Sequence, residues 1–337
     1  MTKLALLVRS TALLLCLLIF QAGSTSHGQA SVSGARISSD RYALLSFKAS
    51  LLDRADRLSS WQGEDCCEWK GVRCSNRMGH LIKLNLGNID MDYYNYPNMS
   101  RSLSLLAGNT GSSLATLQNL RYLDLSGNYF NDTSIHVFLA SLNNLRYLNL
   151  SFTGFSGRIP SQLGILSKLH YLDVSWNDFQ TMDLAWSPGL SFLSHLDKSG
   201  ADLSSERDLF QRVNMLPSLK VLLLPYCSLN NTMSTSISHS NLTHLKVLHM
   251  SENNFDTSLK HALFSNLTGL KEFYLSYSGW LRPIPSDLAN MMSLQVMDFQ
   301  WNHIVGLMPG KLGNLCNLTV MWFDGNNLGL SIGEFME

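Results

Sequence analysis

The chain has 337 residues, of which 25 are basic and 25 acidic, so its formal net charge is zero. Proteins that bind nucleic acid or an anionic membrane need a basic excess, and this balance argues against both roles. Charged residues make up only 15% of the chain while glycine is plentiful, a composition that suits a turn-rich repeat protein.

Residues 1–24 are predicted to be a signal peptide. Lys3 gives the segment a basic start, and residues 12–20 form an apolar core that is short for a membrane span of ~20 residues. Small residues follow, and cleavage is expected between Ala22 and Ala30. An uncleaved membrane anchor is the alternative. The segment therefore predicts entry into the secretory pathway.

Residues 36–80 do not follow the repeat of the later chain and are predicted to form an N-terminal cap. Ser38, Ser39 and Asp40 stand where a helix N-cap would, and the apolar spacing of the residues after them predicts an amphipathic helix. A repeat array needs a cap because its terminal apolar face would otherwise meet water.

The cap holds three of the six cysteines of the chain. Cysteines that staple a cap are expected in a secreted chain, and Cys67–Cys74 is the preferred disulfide. Cys227 and Cys316 occupy core-type positions in separate repeats and are predicted to be buried thiols. No metal site is expected, since Cys66 and Cys67 are adjacent and no histidine pair completes a ligand set.

From residue 81 onward the chain repeats the pattern L-x-x-L-x-L-x-x-N-x-L, whose first Leu is counted here as position 0. From the second copy on, successive copies start 24 to 26 residues apart, which is the period of a leucine-rich repeat. The pattern predicts an α/β solenoid over 81–337, a horseshoe or superhelix with a parallel β-sheet on its concave face. The ten copies, the last of them incomplete, begin at Leu81, Leu120, Leu145, Leu169, Leu193, Leu219, Leu245, Leu270, Leu294 and Leu318.

Positions 0, +3, +5 and +10 are predicted to point into a shared core, because one coil cannot bury its apolar face alone. Position +5 is apolar in every copy except the one at Leu193, where it is Lys198. That coil is expected to be the most irregular, and the lysine is expected to extend its ammonium to solvent. Position +8 is Asn or Cys in six copies, where a buried Asn can satisfy backbone groups of two coils.

The first two copies start 39 residues apart, which leaves an excess around 88–111. This excess contains Tyr93, Tyr94, Tyr96 and Asn98. It is interpreted as an insertion loop or a degraded half-repeat. Loops of this length tend to be functional or disordered, and both alternatives stay open.

Aromatic residues recur at positions +7 and +4, beside the predicted concave strand. They would form a stripe along one side of the concavity, and exposed aromatic side chains are effective interface anchors. Packing of position +7 against the next coil is the alternative. The predicted ligand- or partner-binding residues are Phe152, Trp176, Tyr226, Tyr274, Tyr277, Trp301 and Trp322.

Position +4 is also acidic in four copies. The carboxylates are interpreted either as the preferred strand residue of this repeat or as an acidic strip for a basic ligand. His195 and His249 face the same concavity and are expected to be solvated rather than metal ligands or pH sensors. The acidic residues are Asp124, Asp173, Asp197 and Asp298, with Asp324 at position +6.

Seven N-x-[ST] sequons follow the signal segment and favour a glycosylated protein. Asn149 differs from the others because it lies at position +4, where a glycan would block a ligand on the concave face. Its repeat is therefore expected to be either unmodified or outside the binding footprint. The predicted N-glycosylation sites are Asn98, Asn131, Asn149, Asn230, Asn241, Asn266 and Asn317.

The sequence contains no phosphate-binding glycine loop, no H-E-x-x-H, no G-x-S-x-G and no kinase signature. A solenoid of this kind presents an open surface rather than a closed pocket. The chain is therefore predicted not to be an enzyme and to need no cofactor or metal.

The cap and repeats carry a family resemblance. Segments 40–48, 60–61 and 65–74, which read D-R-Y-A-L-L-S-F-K, S-W and D-C-C-E-W-K-G-V-R-C, are similar to the plant-type leucine-rich-repeat N-terminal domain. The repeats resemble the plant-specific class, whose Gly-x-Ile-Pro signature appears at 157–160. The adjacent cysteines are most similar to those of plant receptor-like proteins and polygalacturonase-inhibiting proteins.

The resemblance implies the extracellular recognition region of a plant receptor-like protein, at the plasma membrane or in the apoplast. Such a region would bind a peptide or protein ligand or a co-receptor kinase ectodomain in defence or development, and would signal through a partner kinase. Nucleic acid is not an expected partner, and membrane attachment would need a further C-terminal part. The alternatives are a secreted polygalacturonase inhibitor and a truncated, non-functional receptor fragment.

Two departures from the family pattern matter. Relatives usually carry a cysteine just before the cap helix that pairs with the first of the double cysteines, and residues 35–38 contain none. Cys66 is therefore expected to lack a partner. The chain also ends at Glu337 inside its tenth repeat, without a second cap or a second apolar run, which predicts a fragment or a truncated product.

Overall fold

The computed structural model describes residues 27–88, 104–108, 112–130, 135, 139, 141–181, 184–230, 242–255, 267–281 and 283–329. The predicted signal peptide, the tyrosines of the predicted insertion and the sequons at Asn98, Asn131, Asn241 and Asn266 lie outside these residues. Within the described part, the chain starts with helix α1 (His27–Ala49) and continues with strand β1 (Leu51–Asp53).

One sheet of eleven strands runs through the array. In order across the sheet, the strands are β2 (Val72–Cys74), β3 (Leu81–Asn85), β5 (Tyr122–Asp124), β6 (Tyr147–Asn149), β8 (Tyr171–Asp173), β10 (His195–Asp197), β11 (Val221–Leu223), β12 (Val247–His249), β13 (Glu272–Tyr274), β14 (Val296–Asp298) and β16 (Val320–Trp322). The cap strand β2 is antiparallel to β3, and all later pairs are parallel. From β5 on, each strand occupies positions +2 to +4, so equivalent residues of successive coils stand side by side.

The core follows directly from the repeat. Strand geometry turns positions +3 and +5 inward while positions +2 and +4 face the concavity. Leu145, Leu148 and Leu150 of one coil are fully buried, and Leu148 pairs in register with Leu172 of the next. Burying each leucine contributes about 1.5–3 kcal/mol, and only stacked coils can do so. The predicted leucine-rich-repeat solenoid is confirmed.

Buried asparagines at position +8 join successive coils. The amide nitrogen of Asn177 donates to the carbonyl oxygens of Leu150 and Val174, at 2.8 and 3.1 Å. Its carbonyl oxygen accepts from the backbone N–H groups of Thr153 and Phe155, at 3.2 and 3.0 Å. Asn253 and Asn302 repeat this arrangement. The asparagines therefore satisfy backbone groups of two coils at once, as the sequence predicted.

Short helices and a second layer of strands form the side opposite the main sheet. Pro160, Pro285 and Pro309 each precede a 3-10 helix, where a fixed φ and a missing N–H carry no penalty. The second-layer strands pair in parallel, β7 (Ser156–Arg158) with β9 (Asp178–Thr181) and β15 (Val305–Leu307) with β17 (Asn327–Gly329). The helices on this side are Ser113–Thr116, Ser161–Ile165, Ser187–Gly189, α2 (Leu209–Val213), Ser286–Asn290 and Gly310–Asn314.

The cap helix begins earlier than the sequence predicted. An N-cap at Ser38–Asp40 is wrong, because α1 already starts at His27 and Asp40 lies inside it. The Asp40 carboxylate instead accepts a hydrogen bond from the backbone N–H of Leu81 at 2.9 Å. It therefore ties α1 to the first strand of the first repeat rather than to its own helix.

The cap core holds two stacked indoles, Trp61 and Trp69, with ring centroids 5.4 Å apart. Their Nε1–H groups donate to the carbonyl oxygens of Lys70 and Gln62, at 3.0 and 2.7 Å, so neither buried indole loses its hydrogen bond. The cap also contains the 3-10 helix Cys66–Glu68.

The described part of the predicted insertion is held against the cap. Strand β4 (Leu106–Gly108) pairs antiparallel with β1, which neither interpretation of this segment anticipated. The guanidinium of Arg57 donates to Asn128 Oδ1 at 2.7 Å and to the carbonyl oxygens of Leu86 and Ser104 at 2.8 and 3.2 Å. One charged side chain thus connects the cap, the first coil and the start of the second.

Lys198 does not reach solvent, so the expected extension of its ammonium is wrong. The residue is fully buried. Position +5 points inward, and β10 is paired in register on both sides, which fixes the stem of the lysine in the core. Its ammonium lies 6.0 Å from the centre of the Trp186 ring. The strand of this coil is as regular as its neighbours, and the expected irregularity is absent from it.

The cysteines differ in accessibility. Cys67 and Cys74 form a disulfide, while Cys66 and Cys227 are buried free thiols. Cys316 is exposed, so its predicted burial is wrong. It lies in the turn just before a strand, where the equivalent residues Gln118, Asn143 and Ser167 are exposed as well.

A thiol titration of the folded protein is expected to detect one fast-reacting cysteine, Cys316. Burial raises the pKa of the Cys66 thiol to about 11, which suppresses its reactive thiolate, and Cys227 is equally shielded. Ellman's reagent should modify Cys66 and Cys227 only after denaturant is added. The variant Cys316→Ser should remove the fast phase, and a fast phase that persists in it would contradict this assignment.

Candidate recognition surface

From the second coil on, the turn after the concave strand places position +7 in the left-handed backbone region. Gly127, Gly200 and Gly325 occupy it with φ of 64°, 75° and 73°. Other coils place bulky residues there with φ between 50° and 59°, namely Phe152, Trp176, Tyr226, Glu252, Tyr277 and Trp301. A non-glycine residue in this region costs about 1–2 kcal/mol. The aromatic side chains therefore occupy a position where glycine would be the unstrained residue.

The aromatic residues at position +7 form two stacked groups, which together we call the aromatic row. Phe152 stacks on Trp176 with ring centroids 5.7 Å apart, and Trp176 reaches across the coil of Gly200 to Tyr226 at 5.4 Å. Tyr277 stacks on Trp301 at 5.8 Å. Each ring therefore packs on a neighbouring ring, as the packing alternative predicts, and several rings also stay open to solvent.

Solvent reaches the aromatic row mainly in its second half. Tyr226, Tyr277 and Trp301 are 39%, 49% and 54% exposed. Trp322, at position +4 of the last coil, is 43% exposed. Tyr274 is more buried, and its hydroxyl donates to Glu272 Oε2 at 3.0 Å. The structure therefore places the predicted binding residues at the concave side of the sheet, with the open rings between Tyr226 and Trp322.

A second set of stacked rings, which we call the tyrosine stack, lies at position +2. The ring centroids of Tyr122 and Tyr147 are 4.1 Å apart, those of Tyr147 and Tyr171 are 4.3 Å apart, and those of Tyr171 and His195 are 4.2 Å apart. The Lys83 ammonium closes one end at 4.0 Å from the Tyr122 ring centre. Sequence reasoning missed this stack, although tyrosine at +2 in three successive copies was its signal.

His195 and His249 are not solvated in the way the sequence suggested. His195 stacks on Tyr171, and His249 lies 5.1 Å from the Tyr274 ring. Burial lowers the pKa of both imidazoles below the ordinary value, which favours their neutral form. They contribute ring surface to the concave face.

Carboxylates at position +4 share one local geometry. Asp124, Asp173 and Asp197 each accept, at Oδ1, hydrogen bonds from the backbone N–H and the hydroxyl of the serine two residues on. Asn149 makes the same contacts with Ser151, at 2.9 and 2.8 Å. We call these four residues the carboxylate row, since three of them are acidic.

Two members of the carboxylate row repel one another. Asp173 and Asp197 pair in register on neighbouring strands. Burial raises the pKa of both carboxyl groups, and the charge of Asp173 raises that of Asp197 further, to about 7. Hydrogen bonds from Ser175 and Ser199 oppose this shift without cancelling it. The pair therefore holds negative charge only at an energetic cost.

Three of the seven predicted glycosylation sites lie in the described part of the chain. Asn317 is exposed, and its Nδ2 donates to the carbonyl oxygen of Met292 at 2.7 Å. Asn230 forms an isolated bridge with Asn254. Asn149 faces the concave side, so a glycan there would cover the middle of the tyrosine stack and carboxylate row.

Among the described residues, the only cluster with metal-ligand spacing is Cys66, Cys67 and Cys74, whose sulfur atoms lie within 4.8 Å of one another. Two of these sulfurs are joined in the disulfide, which removes them as thiolate ligands. The arrangement does not fit a metal ion.

Two family models match the chain, one described as Leucine rich repeat N-terminal domain over residues 37–75 and one described as Leucine Rich Repeat over 119–142 and 144–166. The stacked coils, the buried asparagines and the stapled cap agree with both matches. The chain belongs to the leucine-rich-repeat proteins.

Two relatives of known kind indicate which type of leucine-rich-repeat protein the chain resembles. The chain is 35% identical to Receptor-like protein EIX1 of Solanum lycopersicum over 275 residues, which cover 78% of this chain and 26% of that protein. It is 37% identical to Receptor-like protein EIX2 of the same plant over 287 residues, which cover 84% of this chain and 28% of that protein. The predicted likeness to plant receptor-like proteins is confirmed.

A solved structure shows the same architecture. The LRR ectodomain of the plant membrane receptor kinase GASSHO1/SCHENGEN3 from Arabidopsis thaliana, in complex with CASPARIAN STRIP INTEGRITY FACTOR 2, superposes with a TM-score of 0.67 at 25% identity. The match covers 86% of this chain and 33% of that one.

The chain spans about a quarter of the length of the receptor-like proteins it matches. None of the helices within the described ranges combines the length and apolar character that crossing a bilayer requires.

Proposed function

We propose that this chain is the extracellular recognition region of a plant receptor-like protein and binds a peptide or protein ligand through its concave face. The observation that carries the proposal is the aromatic row, whose residues occupy a backbone conformation that favours glycine and of which Tyr226, Tyr277 and Trp301 remain substantially exposed. Strained residues of this kind concentrate at functional sites, and exposed tyrosine and tryptophan provide contact area at low entropic cost.

The proposed partners follow from the family and from the chemistry of the face. The binding residues are Phe152, Trp176, Tyr226, Tyr274, Tyr277, Trp301 and Trp322. The likeness to receptor-like proteins implies that signalling passes through a separate co-receptor kinase whose ectodomain contacts the solenoid. The chain itself would act by binding rather than by catalysis, on the extracellular side of the plasma membrane or in the apoplast.

Site-specific photo-crosslinking tests this function. Benzoylphenylalanine is placed at Trp301 on the concave face or, as a matched control, at Phe192, which is 56% exposed and lies outside positions +2 to +7. Each secreted protein is irradiated in extracellular fluid from pathogen-challenged leaves, and adducts are identified by mass spectrometry. We expect one protein or peptide to be captured at Trp301 and not at Phe192. Capture of the same molecules from both positions would contradict recognition by the concave face.

A further inference from the structure

Charge is segregated on this neutral chain. Positions +2, +4, +6 and +7 of the ten coils carry seven carboxylates and a single basic residue, Lys83. The seven acidic residues are Asp124, Asp173, Asp197, Glu252, Glu272, Asp298 and Asp324. These four positions are therefore acidic although the chain has no net charge.

The basic side chains of the coils are concentrated at a different register position. Position +1, just before each concave strand, is Arg121, Arg146, Lys220, Lys246 or Lys271 in five coils. Four of these residues are exposed, and Lys246 is partly buried with its ammonium 3.0 Å from the carbonyl oxygen of Gly269. We call these five residues the basic edge. In the register of the coils, the basic edge at +1 and the carboxylate row at +4 lie on opposite sides of the tyrosine stack at +2.

The basic edge does not neutralise the carboxylates. In the described part of the chain, the ion pairs join Arg41 to Glu64 and Arg212 to Glu206, and both lie off the concave positions. Asp173 and Asp197 instead face each other across neighbouring strands. Like charges opposite one another in a sheet are destabilising, and a cation placed between them would relieve this repulsion.

Aromatic rings flank the carboxylates on both sides. The tyrosine stack lies at +2 and the aromatic row at +7, with the carboxylate row between them at +4. Phe152 and Trp176 lie beside the carboxylates of the first half, and Tyr277 and Trp301 lie beside Asp298 and Asp324 in the second half. A guanidinium or ammonium group is attracted both to carboxylates and to aromatic ring faces.

We propose that the concave face binds a cationic segment of a protein ligand, whose arginine or lysine side chains enter between the aromatic row and the tyrosine stack and contact the carboxylates at +4. This inference rests on the proposed function and specifies the chemistry of the ligand. The basic edge repels such a segment laterally and so confines it to the centre of the face. The same edge can bind carboxylates of the ligand.

The inference is tested with two peptides of opposite charge, decalysine and decaglutamate, titrated against the whole secreted protein at about pH 8.5, where Asp197 is ionised because its pKa is raised only to about 7. We expect decalysine to bind and decaglutamate not to bind, with an affinity that falls as salt is added. The double variant D173N/D197N should weaken decalysine binding by about fivefold or more. Asparagine fits this position, because Asn149 already holds it in the preceding coil.

The double variant D178N/D208N is the matched control. It removes the same charge from two exposed residues outside the concave positions, and its affinity for decalysine should change by less than about twofold. A second probe of the face is W176G, in which glycine suits the backbone of position +7 and only the ring is lost. We expect W176G to weaken decalysine binding while leaving the thermal midpoint within a few degrees of the parent protein.

Equal weakening by both double variants, or tight binding of decaglutamate, would overturn the inference. These outcomes differ from failure of the proposed function. A partner captured at Trp301 that is insensitive to D173N/D197N would leave the recognition function intact and refute only the cationic ligand. Decalysine binding that maps to the concave face, with no partner captured there, would refute the recognition function while the charge preference stands.

Discussion

Replacing Asn177 with alanine is expected to lower the free energy of unfolding by about 3–5 kcal/mol, because buried backbone groups of two coils lose their partners together. The side chain bonds with the backbone of Leu150, Thr153, Phe155 and Val174, and all four residues are buried in the stacked core. Urea denaturation followed by circular dichroism measures the change, and the effect should spread to neighbouring coils because each coil is stabilised only by its neighbours.

Asn143→Ala is the control for this prediction. Asn143 is exposed in the turn before β6, so its replacement should alter the free energy of unfolding by no more than about 0.5 kcal/mol. If Asn177→Ala cost less than about 1 kcal/mol, the asparagine column would not be what joins the coils.

Replacing Asp197 with asparagine is expected to raise the thermal stability at neutral pH and to flatten its pH dependence. The folded protein raises the pKa of Asp197 from 3.8 to about 7, through burial and the charge of Asp173. Between these values the unfolded chain ionises while the folded chain keeps its proton. The stability of the parent protein should therefore be highest near the lower value and fall as the pH rises toward 7, by on the order of 2–4 kcal/mol.

The D197N variant should escape this loss, because asparagine carries no charge and its oxygen still accepts the hydrogen bonds from Ser199. At about pH 7.5 we expect its unfolding midpoint to exceed that of the parent by several degrees, and at about pH 4 we expect the two midpoints to coincide. Asp298→Asn is the control, since Asp298 pairs in register with Tyr274 and Trp322 rather than with another carboxylate. The same gain in D298N would show that mutual repulsion between Asp173 and Asp197 is not its cause.

The repeat period made much of this fold predictable. Once the first leucine of each copy is known, strand geometry decides that Leu148 points inward and that Tyr147 and Asn149 face the concavity. The same register explains why Asn177 reaches both its own coil and the preceding one. These features depend only on a coil and the equivalent positions of its neighbours, so they can be predicted from the periodic pattern.

Features that depend on contacts between unlike segments were not predictable in this way. The pairing of β4 with β1 and the contacts of Arg57 join the cap to the first coils. These contacts leave no periodic pattern in the sequence. The burial of Lys198 was missed because a lysine on an unconstrained backbone would extend to solvent. Here β10 is paired with a strand on each side, and this pairing holds the Lys198 side chain in the core.

The candidate site was predicted in part. The positions of the aromatic residues followed from the repeat, so the sequence placed Trp176 and Trp301 on one side of the concavity. It did not reveal that the backbone at +7 is left-handed in every such coil, since aromatic residues are rare in that conformation. The tyrosine stack required comparing position +2 across coils, where Tyr147 stands between Tyr122 and Tyr171.

Hydroxyl-radical footprinting of the purified protein, alone and bound to the partner captured at Trp301, tests the recognition surface most directly. Side-chain oxidation reports solvent access residue by residue. The concave-face account predicts that Trp176, Trp301 and Trp322 become protected in the complex while Phe192 and Met215, which are 56% and 54% exposed, are oxidised as before. Protection of Phe192 and Met215 with unchanged oxidation of the three tryptophans would contradict it.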